Sequence, residues 1–270
     1  MNNTDFVYDE GRVLSCRAFS ETGIVNHGFS TRIGGVSTDA FSSLNLGMHT
    51  ADDKENVQHN FELFCRDVCI EPSHLVLSEQ VHETVIFKAS RQDCGKGLLV
   101  ESDLSGVDGL ITDEPGVALA TFYADCTPIL LLDPKRKVIA SVHSGWRGTV
   151  GKIARKAAFM MQKEYGCKRT DILAAIGPSI KQCHFEVGEE VYLNFAAAFG
   201  SRAERVTQLK NGKYYIDTDT LNVQLLQESG VLSENISVCP LCSYCEEELF
   251  FSHRRSGGTT GRMCAAIELI

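Results

Sequence analysis

Short runs of apolar residues, separated by turn signals, dominate the centre of the chain. Four runs follow one another between residues 107 and 143, namely VDGLIT, VALATFYAD, PILLLD and KVIASVH. The sequences DEPG and DPKRK interrupt them, and such interruptions are typical of turns between consecutive strands. Because nearly every position within the runs is apolar, they predict strands that are covered on both faces.

Helical periodicity occurs on both sides of this block. The segment 52–68 predicts a helix with one apolar face, and Asp52 with Glu55 three residues later has the pattern of an N-cap and capping box. Further helices are predicted over residues 148–166, 188–200 and 217–230, and further strands over residues 74–82, 171–177, 236–240 and 265–270. Since no linker divides the chain, we expect an α/β (mixed α+β) fold with central mixed β-sheet layers flanked by helices, in a single domain over residues 1–270.

Composition and charge narrow the classes of partner. The chain has 270 residues, of which 43% are hydrophobic, and a formal net charge of −9. This charge, without a long basic run, argues against binding to nucleic acid or to an anionic membrane. The longest apolar run is too short to span a bilayer, and the N-terminus does not have the pattern of a signal peptide. Eleven cysteines in such a chain predict reduced thiols and a cytoplasmic location.

Three residues next to predicted strand ends suggest a metal centre. His82 follows one extended segment, Cys126 lies in a turn between two others, and His143 ends KVIASVH. Two imidazoles and a thiolate suit a zinc ion that keeps one open position, and Asp108 or Asp125 could orient an imidazole. The spacing alone leaves a second interpretation open, in which the cysteine is a buried small residue and the histidines have no ligand role.

A second candidate metal site lies near the C-terminus. Cys239, Cys242 and Cys245 form a CxxCxxC pattern, and His253 follows eight residues later. The pattern resembles a structural zinc or iron–sulfur loop, but the next thiol, Cys264, falls within a predicted strand. We therefore favour free, reduced cysteines here.

Arginines beside glycine-rich turns are candidates for holding an anion. Guanidinium groups together with backbone amides can bind phosphate, and we favour Arg32 and one of Arg254 and Arg255 for this role. Trp146, the sole tryptophan, is a candidate surface for stacking a planar base. The chain has none of the GxSxG, GxxxxGK[ST] or GxGxxG patterns that would indicate a serine hydrolase, a P-loop enzyme or a dinucleotide-binding unit.

Eight segments in this order resemble the laccase-domain purine nucleoside phosphorylases, a YfiH/YlmD-like family formerly labelled multicopper polyphenol oxidases or laccases. The ADC and HSGWRG motifs are the most specific of them. The segments are HGFSTRIGGVS, LNLGMHTADDKENVQHN, SEQVH, DGLITDEPGVALATFYADCTPILLLDP, HSGWRGTV, IGPSI, FEVGEEV and FFSHRR with TGRM.

The resemblance implies a single α/β domain with zinc held by His82, Cys126 and His143. It also implies that adenosine, inosine, guanosine and methylthioadenosine are cleaved by phosphate, and that adenosine is deaminated. Matching motifs make Arg32, Asn45 and Arg254 candidates for contacts with substrate or phosphate. The expected partners are purine nucleosides and phosphate, in a monomer or homodimer, and Glu79 or Asp125 is a candidate for proton transfer.

Three other functions stay open at this point. A cysteine hydrolase or amidase could use Cys126 as nucleophile and His143 as base. A copper-dependent phenol oxidase would fit the older family label, although eight dispersed histidines without an HxH pair make a multicopper centre the weaker choice. A non-catalytic metal-binding protein is the third.

Overall fold

The computed structural model of the chain describes residues 5–9 and 11–270. Residues 1–4 and 10 lie outside the described residues. The N-terminal segment, for which the sequence predicts no signal peptide, is therefore described only in part. No helix among the described residues has both the length and the apolar character needed to cross a membrane.

The described residues form fifteen strands and eight α-helices. In chain order the strands are β1 (Phe6–Asp9), β2 (Val13–Cys16), β3 (Val25–Ser30), β4 (Leu75–Leu77), β5 (Ile86–Lys88), β6 (Gly109–Thr112), β7 (Ala118–Tyr123), β8 (Thr127–Asp133), β9 (Val138–Ser144), β10 (Leu173–Ile176), β11 (Glu186–Val187), β12 (Thr207–Lys210), β13 (Lys213–Ile216), β14 (Ile236–Val238) and β15 (Met263–Leu269). The helices are α1 (Arg17–Ser20), α2 (Lys54–Asp67), α3 (Trp146–Val150), α4 (Ile153–Tyr165), α5 (Glu189–Phe199), α6 (Ser201–Arg205), α7 (Thr218–Ser229) and α8 (His253–Ser256).

Two six-stranded sheets make up the centre of the fold. The first has the strand order β1-β2-β3-β15-β7-β4 and the second β14-β10-β8-β9-β6-β5, while β11-β13-β12 form a small third sheet. Most neighbouring strands are antiparallel, but the pairs β4–β7, β5–β6 and β10–β14 are parallel. The predicted class, mixed α/β with mixed sheets and flanking helices, is confirmed. One domain over residues 1–270 stays a prediction.

The two large sheets pack face to face, with helices on their outer faces. Along β8, Leu130 and Leu132 point into the core between the sheets, whereas Ile129 and Leu131 pack on the side of α4 and α7. The same alternation occurs on β15, where Ala266 belongs to the core beneath α2. The strands are therefore covered on both faces, as their unbroken apolar runs predict.

Two helix predictions need correction. Asp53, and not Asp52, caps α2, because its side chain accepts a hydrogen bond from the backbone N–H of Glu55 at 2.8 Å. Asp52 instead accepts a hydrogen bond from the side-chain amide of Asn45 at 2.8 Å. The residue that the sequence predicts as the cap is therefore engaged in a tertiary contact.

The helix predicted over residues 148–166 is two helices, α3 and α4. Lys152 between them has a left-handed backbone with φ of 64°, which ends one helix and starts the other. A Cβ atom at Gly151 would lie 2.6 Å from the Cγ2 atom of Thr84, so this glycine allows α3 to pack closely on the loop that carries His82. The predicted stop at Gly166 is confirmed, with φ of 67°.

Candidate functional site

The principal cavity lies at the rim where several loops leave the two large sheets. Its volume is about 950 Å³, which is within the range of small-molecule sites. The β7–β8 turn, the end of β9 and the loop between β4 and β5 all contribute to its wall, with Cys126, His143 and His82 respectively. The three residues singled out in the sequence therefore meet at one cavity.

The three side chains converge on one point. A ring nitrogen of His82, the sulfur of Cys126 and a ring nitrogen of His143 all lie within 4.8 Å of one another. The centroids of the two imidazole rings are 4.9 Å apart and the ring planes are inclined by 77°. In this arrangement a nitrogen of each ring could coordinate the same ion. His143 is buried and His82 is exposed, which leaves the cluster accessible from one side.

The buried carboxylate of Asp108 organises this cluster. One of its oxygens, Oδ1, accepts hydrogen bonds from the backbone N–H of His82 at 3.0 Å and from Nδ1 of His143 at 2.8 Å. The other oxygen, Oδ2, accepts from the backbone N–H groups of Val81 at 3.1 Å and Glu83 at 2.8 Å. These bonds hold His82 in a left-handed conformation with φ of 65°, which is uncommon for a residue with a side chain.

The bond from Asp108 also fixes the orientation of His143. Because Nδ1 faces the carboxylate, Nε2 is the nitrogen left to face Cys126. A carboxylate that binds the outer nitrogen of a histidine ligand is a common arrangement around protein-bound metals. Of the two carboxylates that the sequence offers for this role, the structure places Asp108 in it.

The cluster favours a thiolate at Cys126. Burial by itself would raise the pKa of this thiol, but the positive charge of His143 and hydrogen bonds from His143 and His82 outweigh burial and lower the pKa to about 6. Burial would by itself lower the pKa of His143, because it disfavours the charged imidazolium. The negative charge of Cys126 and the hydrogen bond to Asp108 outweigh burial and raise this pKa to about 9. A thiolate is the form of cysteine that binds metal and acts as a nucleophile.

Gly145 provides the space that the cluster needs. A Cβ atom at this position would lie 3.0 Å from Cδ2 of His82 and 3.1 Å from Sγ of Cys126. The glycine therefore keeps open the region where a metal ion and its open position would lie. Together with the donor set and the orientation of His143, this gap fits a mononuclear metal ion with three protein ligands.

Asp125 connects Cys126 to the C-terminal loops. Its carboxylate accepts hydrogen bonds from Oγ of Ser243 at 2.7 Å and from the backbone N–H of Arg254 at 2.7 Å. Both oxygens are thus engaged in holding loops against the β7–β8 turn. The side chain of Glu79 lines the cavity and accepts a hydrogen bond from Oγ of Ser105 at 2.7 Å.

The wall of the cavity combines cationic and apolar side chains. Arg254, a candidate for phosphate binding from the sequence, lines it, and its guanidinium donates to the carbonyl oxygens of His184 at 3.2 Å and Glu186 at 2.8 Å. Its contact with substrate or phosphate stays a prediction. Arg262 also lines the cavity, within the electrostatic field of Cys126 and Asp125. Apart from His82 and His143, the other lysine, histidine and aromatic residues of the wall are His49, Lys54, Phe122, Tyr123, Trp146, Phe185 and His253.

Sequence reasoning did not select Arg262. It belongs to the same SHRRSGGTTGRM segment as Arg254, but nothing in that segment distinguishes an arginine that faces a cavity from one that does not. Arg255 shows the contrast, since its guanidinium donates to the carbonyl oxygens of Ser243, Tyr244 and Phe250 and so holds the loop together. Burial lowers the pKa of Arg262, without removing its positive charge near neutral pH.

Arg32 and Asn45 lie outside the set of residues that line the cavity. The guanidinium of Arg32 donates to the carbonyl oxygen of Ser42 at 2.6 Å and 2.8 Å and lies over the ring of Phe251. Asn45 is fully buried, and its side-chain oxygen Oδ1 accepts a hydrogen bond from the backbone N–H of Arg262 at 2.9 Å. Asn45 therefore positions a residue of the cavity wall, and direct contact of Arg32 or Asn45 with substrate stays a prediction.

The CxxCxxC residues do not share one site. Cys239 is fully buried in the core between the two large sheets, and His253 lines the principal cavity. Cys242 and Cys245 instead lie in a cluster with two residues from a distant loop. The alternative in which Cys239 and His253 share a metal site with the other two cysteines is therefore not supported, since Cys239, directly after β14, is buried in the core.

Comparison with known proteins gives the family. The family model described as multi-copper polyphenol oxidoreductase laccase matches residues 26–270. A protein of Bacteroides thetaiotaomicron named purine nucleoside phosphorylase is 36% identical over 264 residues, which cover 95% of this chain and 96% of that protein. A protein from an unknown prokaryotic organism, named adenosine deaminase RL5, is 36% identical over 244 residues, or 88% of this chain and 92% of that protein.

A solved structure agrees with these matches. The crystal structure of a Bacillus licheniformis protein described as hypothetical protein YfiH has a TM-score of 0.94 and 33% sequence identity, and it covers 99% of this chain and 100% of that chain. The fold and the cysteine–histidine centre define a mixed α/β protein with an open cluster of side chains that could hold a metal ion. The chain belongs to the laccase-domain family described as multi-copper polyphenol oxidoreductase laccase, and the prediction that it resembles YfiH-like enzymes of this family is confirmed.

Substitution of Asp108 by asparagine tests its role in positioning the ligands. An amide offers one oxygen where the carboxylate offers two, so two of the four hydrogen bonds lose their acceptor. We expect the dissociation constant for zinc at this centre to rise about 10-fold to 100-fold, measured by competition with a chelator. Asp103→Asn is the matched control, because that carboxylate is exposed and pairs with Lys96. An unchanged dissociation constant in folded Asp108→Asn protein would contradict the role.

Gly145→Ala tests the space in the cluster without straining the backbone. Gly145 has φ of −67° and ψ of 177°, a conformation open to alanine, so the effect must come from the added methyl group. We expect metal content at the centre to fall while the melting temperature stays close to that of the parent protein. Gly188→Ala, at a glycine with no neighbouring atom within 4 Å of the added Cβ, should keep its metal. Full metal content in Gly145→Ala would show that the gap is not needed.

Proposed function

We propose that the chain is a zinc-dependent purine nucleoside phosphorylase that also deaminates adenosine. The observation that carries the proposal is the His82–Cys126–His143 cluster opening onto a cavity of about 950 Å³ with cationic and aromatic walls. Relatives of the chain bear the names of both activities, and these names support the proposed reactions. The proposed substrates are adenosine, inosine, guanosine and methylthioadenosine, with phosphate.

Zinc is the metal that we propose for the centre. Two imidazoles and a thiolate also occur in blue-copper sites, so the donors alone do not separate the two metals. A multicopper oxidase, however, needs additional histidine-rich ligand sets. Among the described residues, the other cluster with metal-ligand geometry has three thiols and one imidazole, which does not suit that chemistry. When bound, zinc would supply a Lewis acid with one open position.

Each wall of the cavity has a proposed task in phosphorolysis. A phosphate oxygen forms a bond to C1′ of the ribose while the C1′–N9 bond breaks, and the purine leaves with a proton. Arg262 and Arg254 would hold the phosphate, since charge-assisted hydrogen bonds from guanidinium groups suit this anion. Phe122, Trp146 and Phe185 would contact the faces of the purine, because planar bases stack favourably on aromatic rings.

Glu79 is the group that we propose for proton transfer. Asp125, the other candidate, has both oxygens engaged by Ser243 and Arg254, and losing that carboxylate would release two loops. Glu79 lines the cavity and has one oxygen bonded to Ser105, which leaves the other for substrate. In deamination, water adds at C6 of adenine and ammonia leaves, so this reaction also needs a group that carries a proton.

A cysteine hydrolase is the second candidate function. Cys126, His143 and Asp108 reproduce the order nucleophile, base and orienting carboxylate of a hydrolytic triad. The presence of His82 at the same sulfur favours metal binding, because a nucleophile needs only one base. Iodoacetamide separates the two hypotheses: it should alkylate Cys126 only after zinc has been removed by a chelator. Rapid alkylation of the metal-loaded protein at Cys126 would favour the thiol mechanism.

Adenosine incubated with and without phosphate tests the proposed function. With phosphate we expect adenine and ribose 1-phosphate, and without phosphate we expect inosine and ammonia. Cys126→Ala and His143→Ala should abolish both sets of products, because each removes a zinc ligand, whereas Cys69→Ser, at an exposed cysteine, should preserve them. Retention of both activities in a folded Cys126→Ala variant would rule out a catalytic zinc at this centre.

Arg262→Gln and Arg32→Gln together test which arginine binds phosphate. Loss of a charged hydrogen bond costs about 1.5–3 kcal/mol, so Arg262→Gln should raise the KM for phosphate by about 10-fold to 150-fold. Arg32→Gln should mainly lower the melting temperature, because Arg32 holds the carbonyl of Ser42. A raised KM in Arg32→Gln with an unchanged KM in Arg262→Gln would reverse the assignment in favour of the residue predicted from the sequence.

A further inference from the structure

A second cluster of metal-binding side chains lies away from the His82–Cys126–His143 centre. Cys183 and His184 come from the loop before β11, and Cys242 and Cys245 come from the loop after β14. One donor atom from each of the four lies within 4.8 Å of all the others. Three thiols and an imidazole from segments about sixty residues apart therefore surround one point.

Four of the six separations between these donor atoms are close to those around a single tetrahedral ion, and the other two are within 4.8 Å. Sγ of Cys183 lies 3.8 Å from Sγ of Cys242 and 3.7 Å from Sγ of Cys245. Nδ1 of His184 lies 3.2 Å from Sγ of Cys183 and 3.3 Å from Sγ of Cys245. Zinc bonded to sulfur at about 2.3 Å and to nitrogen at about 2.0 Å places sulfur atoms about 3.8 Å apart and sulfur–nitrogen pairs about 3.5 Å apart.

Other uses of the three thiols fit less well. A disulfide needs two sulfur atoms about 2.05 Å apart, and all three cysteines are free. Iron–sulfur clusters are usually held by four cysteines, or by two cysteines and two histidines in Rieske centres. Three cysteines with one histidine is instead a regular ligand set of structural zinc sites.

Contacts around the cluster hold its members in place. The ring of His184 stacks on the ring of Tyr244, with centroids 4.0 Å apart and planes inclined by 14°, which fixes the direction of Nδ1. The sulfur of Cys242 accepts a hydrogen bond from the backbone N–H of Lys181 at 3.4 Å. Backbone donors to a ligand sulfur, and packing that orients a ligand ring, are the outer contacts expected around a metal site.

We propose that Cys183, His184, Cys242 and Cys245 form a second zinc site, closed by four protein ligands and structural in role. The open centre at the cavity has three protein ligands, so the chain would carry one zinc site of each kind. The proposal concerns a separate set of residues and does not depend on the function proposed for the cavity.

The site joins two loops that support the cavity wall. The backbone N–H of Ser243 donates to the carbonyl of Ser179 at 3.0 Å beside the cluster, and Oγ of Ser243 donates to Asp125 at 2.7 Å. The carbonyl of His184 accepts a hydrogen bond from the guanidinium of Arg254 at 3.2 Å. A zinc ion here would therefore fix the loops that hold Asp125 and orient Arg254, without contacting substrate.

Metal counting on the purified, reduced full-length protein tests the proposal. Native mass spectrometry with elemental analysis should find two zinc ions in the parent protein and one fewer in Cys245→Ser. Cys126→Ala should also lose one ion, and the double variant should lose both. Cys69→Ser is the matched control, since Cys69 is also an exposed free thiol, and it should keep the parent metal content.

Cobalt substitution distinguishes the two sites in the same samples. Cobalt at the closed site should give intense thiolate-to-metal charge-transfer absorption from three sulfur ligands. This absorption should persist in Cys126→Ala, whereas Cys245→Ser should retain only the weaker absorption from the single thiolate of Cys126. An equal metal content in Cys245→Ser and the parent protein would overturn the proposal. So would a Cys126→Ala protein without bound metal, a result that stands even if Cys245→Ser fails to fold, or a disulfide among these cysteines in anaerobically purified protein.

Discussion

The candidate active site depends on one buried carboxylate. Asp108 is fully buried, and its two oxygens accept four hydrogen bonds, three from the backbone at residues 81–83 and one from His143. A buried charge without such partners would be strongly unfavourable. Hydrogen bonding from these groups lowers the pKa of Asp108 although burial acts to raise it. The same bonds fix the strained loop of His82 and the orientation of His143, so two of the three candidate metal ligands rely on them.

The layered fold explains why this arrangement forms at the rim. Strands β6, β8 and β9 are buried on both faces, so their polar and ligand-bearing residues collect where the strands end. The cluster of His82, Cys126 and His143 opens on the cavity, whereas the proposed cluster around Cys242 would be closed by its own four ligands, none of which lines the cavity. An open reacting centre and a closed structural support would thus use the same metal with different numbers of protein ligands.

The sequence predicts the regular elements and the central triad better than their connections. Unbroken apolar runs predict the doubly covered strands, and the ADC and HSGWRG motifs bring out Cys126 and His143. The role of Asp108 could not be separated from that of Asp125, because both lie close to strand ends and only the tertiary structure shows which one faces an imidazole. Cys183 and His184 are far from Cys242 and Cys245 in the sequence and form no motif with them. The second cluster is therefore recognisable only in the folded structure, where the two loops meet. Arg262 was missed for a similar reason, since only the tertiary structure shows that it lines the cavity, where Asn45 accepts a hydrogen bond from its backbone N–H.

The most direct test of the central claim is a crystal structure with anomalous diffraction measured on both sides of the zinc absorption edge. We predict an anomalous peak within metal–ligand distance of His82, Cys126 and His143. Its fourth coordination position should face the cavity and be free of protein atoms. The absence of a peak at this cluster in protein that contains zinc would contradict the proposed centre. A fourth protein ligand that closes the site and leaves no position for substrate would contradict it equally.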